Sequence, residues 1–216
     1  MKYKAVLFDL DGTLADTAPD LGLALNMQRE RHGLQPLAME TIRPHASHGS
    51  RGLLGVGFGI TPESPDFAEK RDEYLALYDE VFCRQPMLFE GVAELLQHIE
   101  SKGLSWGVVT NKPSRFTRPL MAALGLAQRA GEIVSGDDCP QPKPAPDTLL
   151  LASRTIGASP RDCLYVGDAE RDMVAGTAAG MATVVALYGY LDAHDKPLEW
   201  GAHAAISRPA ELVQLL

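Results

Sequence analysis

Five short runs recur along the chain, each apolar on both faces: YKAVLF (3–8), SWGVVT (105–110), EIVSG (132–136), CLYVG (163–167) and ATVVAL (182–187). A strand with two apolar faces must be covered on both sides, as parallel strands between helix layers are. Segments with apolar residues at helical spacing separate the later runs: GVAELLQHIESKG (91–103), SRFTRPLMAALGL (114–126), APDTLLLASRTIG (145–157) and ERDMVAGTAAGM (170–181). Lys-Gly at the end of the first is a good helix stop. Strand–helix alternation of this kind predicts an α/β fold, a doubly wound parallel sheet with a Rossmann-like core.

One stretch breaks the alternation. From about Thr17 to Arg84 no run reads as a strand. APDLGLALNMQRERHG reads as an amphipathic helix ending at Gly33, SPDFAEKRDEYLALYDEVFCR as a second, and SRGLLGVGF between them as a third. The expectation is a small α-helical domain, residues 17–84, inserted into an α/β core formed by residues 1–16 and 85–216. The tail HAAISRPAELVQLL is expected to add an edge strand and a last helix.

Ligands of open parallel sheets gather at the carboxyl ends of the strands. Past the first strand stand Asp9 and Asp11, and past the second Thr110, Asn111 and Lys112. Lys143 precedes the helix after the third, and Asp168 and Asp172 follow the fourth. Each group alone has an ordinary explanation: Asp-Gly makes turns and acids cap helices. Four segments delivering them to one edge point to a shared site. Crowded carboxylates need a divalent cation, and an all-oxygen set suits Mg²⁺. A cation, a lysine and a hydroxyl together suit a phosphoryl group, with one carboxylate free to attack phosphorus and a second to manage the proton.

Composition narrows the class. With 216 residues, 45% of them apolar, the chain can bury a substantial core. The net charge of −8 and the lack of a dense Lys/Arg stripe argue against nucleic acid as a partner. No apolar run is long enough for a membrane span, and MKYKAVLFDLDG lacks the form of a signal peptide. Cys83, Cys139 and Cys163 are too few and too scattered for a disulfide framework or a zinc site, which fits a cytoplasmic protein. Monomer and homodimer are both open.

The four segments resemble the motifs of the haloacid dehalogenase superfamily of phosphohydrolases: DLDGT, VVTN, Lys143 and GDAERD. The resemblance implies Asp9 as nucleophile and Asp11 as general acid/base. It also implies Thr110 and Lys143 on phosphate, and Mg²⁺ held by Asp9, Asp11 through its main chain, and Asp168, with Asp172 in support. An acid at position 11 is the phosphatase pattern rather than that of a dehalogenase. The helical insertion resembles the cap of the phosphoglycolate phosphatase and β-phosphoglucomutase group, and TNKP resembles the former branch. IRPHASHGSRGLL and VVALYGYLDAHDKPLEW are similar to bacterial enzymes that dephosphorylate N-acetylmuramic acid 6-phosphate in cell-wall recycling. The expected partner is a small phosphorylated metabolite. A phosphomutase and a phospho-ligand-binding module without turnover are the rival readings.

Within the insertion, Arg43, His45, His48, Ser50 and Arg51 lie close together, and Arg51 is a candidate for a substrate carboxylate. Lys112 reads equally as a substrate contact or a surface lysine. Asn111 is expected to orient Thr110 or the phosphate, and Glu170 to hydrogen-bond near the metal or favour a helix N-terminus. Trp106 and Trp200 are expected to be packing residues.

Overall fold

The computed structural model describes residues 2–216; Met1, which the sequence reading assigns to the core, lies outside the described residues. A six-stranded, wholly parallel sheet has the order β3-β2-β1-β4-β5-β6. Its strands are β1 (Ala5–Phe8), β2 (Ser105–Val109), β3 (Glu132–Val134), β4 (Cys163–Gly167), β5 (Ala182–Ala186) and β6 (Ala204–Ile206). Strands one residue out of phase bury opposite faces. Val6 and Phe8 of β1 pack with Trp106, Val108, Leu95 and Ile99, while Ala5 and Leu7 pack with Tyr165, Leu149 and Ala152. Both faces are therefore covered, as the apolar runs require.

Eight α-helices complete the described chain: α1 (Ala18–Arg31), α2 (Met39–Ile42), α3 (Gly49–Phe58), α4 (Phe67–Val81), α5 (Val92–Ser101), α6 (Ser114–Ala123), α7 (Asp147–Ile156) and α8 (Glu170–Ala178). In α5 the buried residues Val92, Leu95, Leu96 and Ile99 form one face, the i, i+3, i+4, i+7 pattern that made it legible. No strand falls between Ala18 and Val81. There α1 packs on α3 and α4 around Leu21, Leu25, Leu53, Leu54, Leu77 and Val81, a cluster that also takes in Phe116 and Tyr190. Gly33 ends α1 as expected, with a φ of 71° that favours glycine. The last helix differs in type from the sequence expectation, and one further turn had no assignment there. RPHASH forms a 3₁₀ turn (Arg43–His48), and the last helix is a 3₁₀ segment (Pro209–Leu215). Each has a proline at its start and is only six or seven residues long, a length at which the tighter turn is competitive. Among the described residues no helix is long and apolar enough to cross a membrane.

The first turn of α1 needs partners for its free N–H groups. Thr17, at the N-cap position, does not cap it. The phenol of Tyr190 accepts instead from the N–H of Thr17 (2.7 Å) and Ala18 (3.0 Å), and donates to Asp16 Oδ1 (2.8 Å). Arg43 donates to Asp16 Oδ2 (2.9 Å) and lies over the Tyr190 ring. The segment after β5 is thereby stitched to the start of α1. Tyr190→Phe leaves two buried N–H donors without a partner, and is expected to lower the unfolding free energy by about 1–3 kcal/mol in denaturant titration; an unchanged value would show the phenol to be dispensable.

Candidate active site

The strand order reverses direction at β1, whose neighbours are β2 and β4, and the crevice outside such a switch point is where open α/β sheets hold ligands. Asp9 leaves β1 and Asp168 leaves β4 on either side of it. Carboxylate oxygens of Asp9, Asp168 and Asp172 lie within 4.8 Å of one another, all three residues buried. Gly12 and Gly189 permit this close approach, since a Cβ on either would fall inside the Asp168 side chain.

One ammonium holds the acids together. Lys143 Nζ lies 2.9 Å from Asp9 Oδ1 and 2.8 Å from Asp172 Oδ1, its side chain wholly buried. It also donates to the Val109 carbonyl (2.9 Å) and the Tyr165 hydroxyl (2.8 Å). Asp9 Oδ1 accepts from the Leu10 N–H (2.7 Å) as well, while Oδ2 faces Arg171 at 3.8 Å. Asp172 further accepts from the Ala169 N–H (3.0 Å), a cap on α8.

The three acids titrate differently for identifiable reasons. Burial pushes Asp172 up, but Lys143 and Arg171 outweigh it and hold the carboxyl below its ordinary value. Burial raises Asp9, with Lys143 opposing and Asp172 adding to the rise. Asp168 forms no ion pair among the described residues; burial, then Asp9 and Asp172, push it up to about 7. Hydrogen bonds from Ser47 Oγ (2.5 Å), the Tyr190 N–H (2.9 Å) and Thr13 Oγ1 (3.2 Å) only moderate that. A buried, all-oxygen, anionic set with one carboxylate so disfavoured fits a small divalent cation such as Mg²⁺.

Asp11 stands apart from this trio. It is half-buried, and its carboxylate meets Lys112 Nζ (3.1 and 3.4 Å) and Thr17 Oγ1 (2.5 Å). Lys112 is thus buried and paired, neither a surface lysine nor an unengaged one. The Asn111 side-chain amide donates to the Lys143 carbonyl (2.7 Å), and its Oδ1 accepts from the Lys143 N–H (2.9 Å), so it fixes the lysine loop beside the cavity that it also lines. Thr110 is buried beside the acids' crevice and accepts from the Lys112 N–H (3.1 Å).

A cavity of about 910 Å³ opens over the carboxylates. Asp9, Asp11, Thr110, Asn111, Lys112, Lys143 and Asp168 line it together with Arg51 of α3 and Arg71, Tyr74, Leu75 and Tyr78 of α4. Of the basic cluster at 43–51, His48, Ser50 and Arg51 line it, whereas the Arg43 side chain is committed to Asp16. Trp106 is buried in the core as expected; Trp200 is half-buried and lines the cavity. Glu170 is exposed on the first turn of α8 and also lines it.

The sequence reading passed over Arg171 and Ser47. Arg171 donates to the Ser47 carbonyl (2.8 Å) while facing Asp9, and Ser47 Oγ reaches Asp168, so the 3₁₀ turn is tied directly to the acids. A signal existed for Arg171: a cation in the first turn of a helix runs against the helix dipole and calls for a nearby anion. Ser47 carried none.

The family model for haloacid dehalogenase-like hydrolases matches residues 6–186. The N-acetylmuramic acid 6-phosphate phosphatase of Pseudomonas aeruginosa is 42% identical over 216 residues, 100% of this chain and 96% of that protein. The phosphoglycolate phosphatase of Xanthomonas campestris pv. campestris is 41% identical over 209 residues, 97% of this chain and 94% of that protein. A crystal structure from Haemophilus somnus, described as a predicted phosphoglycolate phosphatase, superposes with a TM-score of 0.85 at 25% identity, covering 100% of this chain and 98% of its own. The family match spans all four segments that form the site, and the chain belongs to the haloacid dehalogenase-like hydrolases.

Proposed function

We propose that the chain hydrolyses phosphomonoesters by way of a phosphoryl group carried on Asp9. The observation that supports this best is the division of labour between the two acids after β1. Asp9 sits in the carboxylate cluster against Lys143, and Asp11 sits outside it against Lys112. Two carboxyls in such different surroundings suit a nucleophile and a proton carrier. In the first half-reaction an Asp9 oxygen forms a bond to phosphorus as the ester P–O bond breaks, and Asp11 gives its proton to the departing alkoxide. In the second, water adds to phosphorus, the Asp9–phosphorus bond breaks, and Asp11 recovers a proton from that water.

The other residues hold the geometry. Lys143 offsets the charge of Asp9 and Asp172 and fixes one oxygen of Asp9. Asn111 fixes the loop that carries Lys143, and Thr110 lines the space for the phosphoryl oxygens. Asp9 and Asp168, with the Asp11 main chain, would hold Mg²⁺, and Asp172 would support them. Bound there, the ion supplies positive charge to the phosphoryl oxygens. Residues 17–84 act as a cap over the core of residues 1–16 and 85–216, excluding water and selecting the leaving group.

For the substrate, the two relatives offer phosphoglycolate and N-acetylmuramic acid 6-phosphate, both acids. The cavity favours the larger. On α4, Arg71, Tyr74, Leu75 and Tyr78 form one face along it. From Tyr78, which lies over Lys112, to Arg71 is about 10 Å of helix rise. Arg51 and Arg71 form no ion pair among the described residues, whereas Lys112, Lys143 and Arg171 each face a carboxylate. A carboxylate across a sugar ring from its phosphate can reach that far end; that of phosphoglycolate is held close to phosphorus. A side-by-side kinetic comparison of the two esters should favour N-acetylmuramic acid 6-phosphate in kcat/KM by at least about tenfold; a preference for phosphoglycolate would reverse the assignment.

Asp9→Asn should lower turnover by more than about a thousandfold while circular dichroism and unfolding stay cooperative; a fully active variant would end the scheme. Gly189→Ala would push a methyl group onto Asp168. It should raise the Mg²⁺ concentration for half-maximal activity by about 10–100-fold, and an unaltered Mg²⁺ response would show that Asp168 does not hold the ion.

A further inference from the structure

Lys112 is the cation in the site whose task the scheme above leaves open. A buried ammonium must be paired, and its partners state what it is for. Its Nζ spans both oxygens of Asp11, at 3.1 Å from Oδ1 and 3.4 Å from Oδ2, and lies 5.0 Å from the centre of the Tyr78 ring. Its backbone is fixed on both sides. The N–H donates to Thr110 Oγ1 (3.1 Å), and the carbonyl accepts from the Gly136 N–H (3.0 Å) and from Thr117 Oγ1 (3.0 Å). The side chain therefore starts from a rigid point and ends on a carboxylate.

The two oxygens of Asp11 are not equivalent. Oδ1 accepts from Thr17 Oγ1 (2.5 Å) and from Lys112, whereas Oδ2 has only the longer Lys112 contact. A carboxylate pinned at one oxygen presents the other in a fixed direction. Both clamps connect to the helical insertion: Thr17 is its first residue, just ahead of α1, and Tyr78 belongs to α4. Tyr78 is itself wedged against Phe116 and Phe82, with ring centroids at 4.9 and 5.8 Å.

We propose that Lys112 is a positioning residue for proton transfer: with Thr17 it locks Oδ1 of Asp11 so that Oδ2 carries the proton to the leaving alcohol, and Tyr78 ties that lock to the helical insertion. Lys112 then takes neither of the two roles its sequence position left open, substrate contact and surface lysine. The assignment rests on the phosphatase reading above, and it changes which oxygen does the work and what holds it there.

The test uses leaving groups. p-Nitrophenolate departs with little help from an acid, and an alkoxide does not, so impaired protonation shows selectively on alkyl esters. Lys112→Met keeps most of the side-chain length and removes the charge. Its loss of kcat on a sugar 6-phosphate should exceed its loss on p-nitrophenyl phosphate by about tenfold or more. Lys112→Arg should recover part of the difference. Thr17→Val, which removes the other clamp without touching a buried charge, should show the same selectivity and covers the case in which Lys112→Met fails to fold. Equal losses on the two esters in both variants would make Lys112 a phosphoryl contact or a structural residue, and no loss on either would remove it from the reaction; both overturn the proposal. If the wild-type chain hydrolyses neither ester, the phosphatase reading itself falls, a result distinct from equal losses in active variants.

Discussion

The buried ammonium of Lys143 is what lets the site exist. Three carboxylates from β1 and the β4–α8 turn are packed out of water within 4.8 Å of each other. Left alone they would repel and take up protons. Lys143 pairs with two of them, and its remaining N–H is shared between the Val109 carbonyl and the Tyr165 hydroxyl. Loss of the ammonium would leave two buried carboxylates unpaired, which is the costly way to break such a group. Asp168 is the carboxylate of the three that forms no ion pair among the described residues.

The fold serves this contact by simple topology. Reversal of strand order at β1 sets the ends of β1 and β4 side by side, and the loops beyond β2 and β3 bring Thr110 and Lys143 to the same edge. The helices between Ala18 and Val81 then face that edge. The contacts that bind them to it include Ser47 on Asp168, Tyr78 over Lys112, and the Tyr190 phenol at the head of α1. The part of the chain that can recognise a leaving group is thus in touch with the acids that would cleave it.

Much of this was legible in the sequence, for reasons that differ by element. The strands were readable because burial on both faces imposes an unbroken apolar run, and α5 because one buried face imposes a 3.6-residue period. Asp9, Asp11, Thr110, Lys143, Asp168 and Asp172 were readable because each follows a strand or opens a helix, where topology alone predicts convergence. The partners of these residues were not readable. Asn111 on the Lys143 backbone and Tyr190 at the start of α1 act across separations of 32 and 173 residues, set by tertiary packing with no local pattern. The 3₁₀ turn at Arg43–His48 was missed because six residues are too few to show a period.

The account depends on one cation completing the acid cluster, and proton-linked Mg²⁺ binding tests that most directly. Isothermal titration in buffers of different ionisation heat counts the protons released per ion. With Asp168 pushed up to about 7, its proton must leave when the ion arrives. Release should approach about one proton per ion near pH 6, fall toward zero above about pH 8, and be lost in Asp168→Asn, with the apparent affinity rising across the same interval. No binding at millimolar Mg²⁺, or binding with the same proton count in Asp168→Asn, would contradict the site described here.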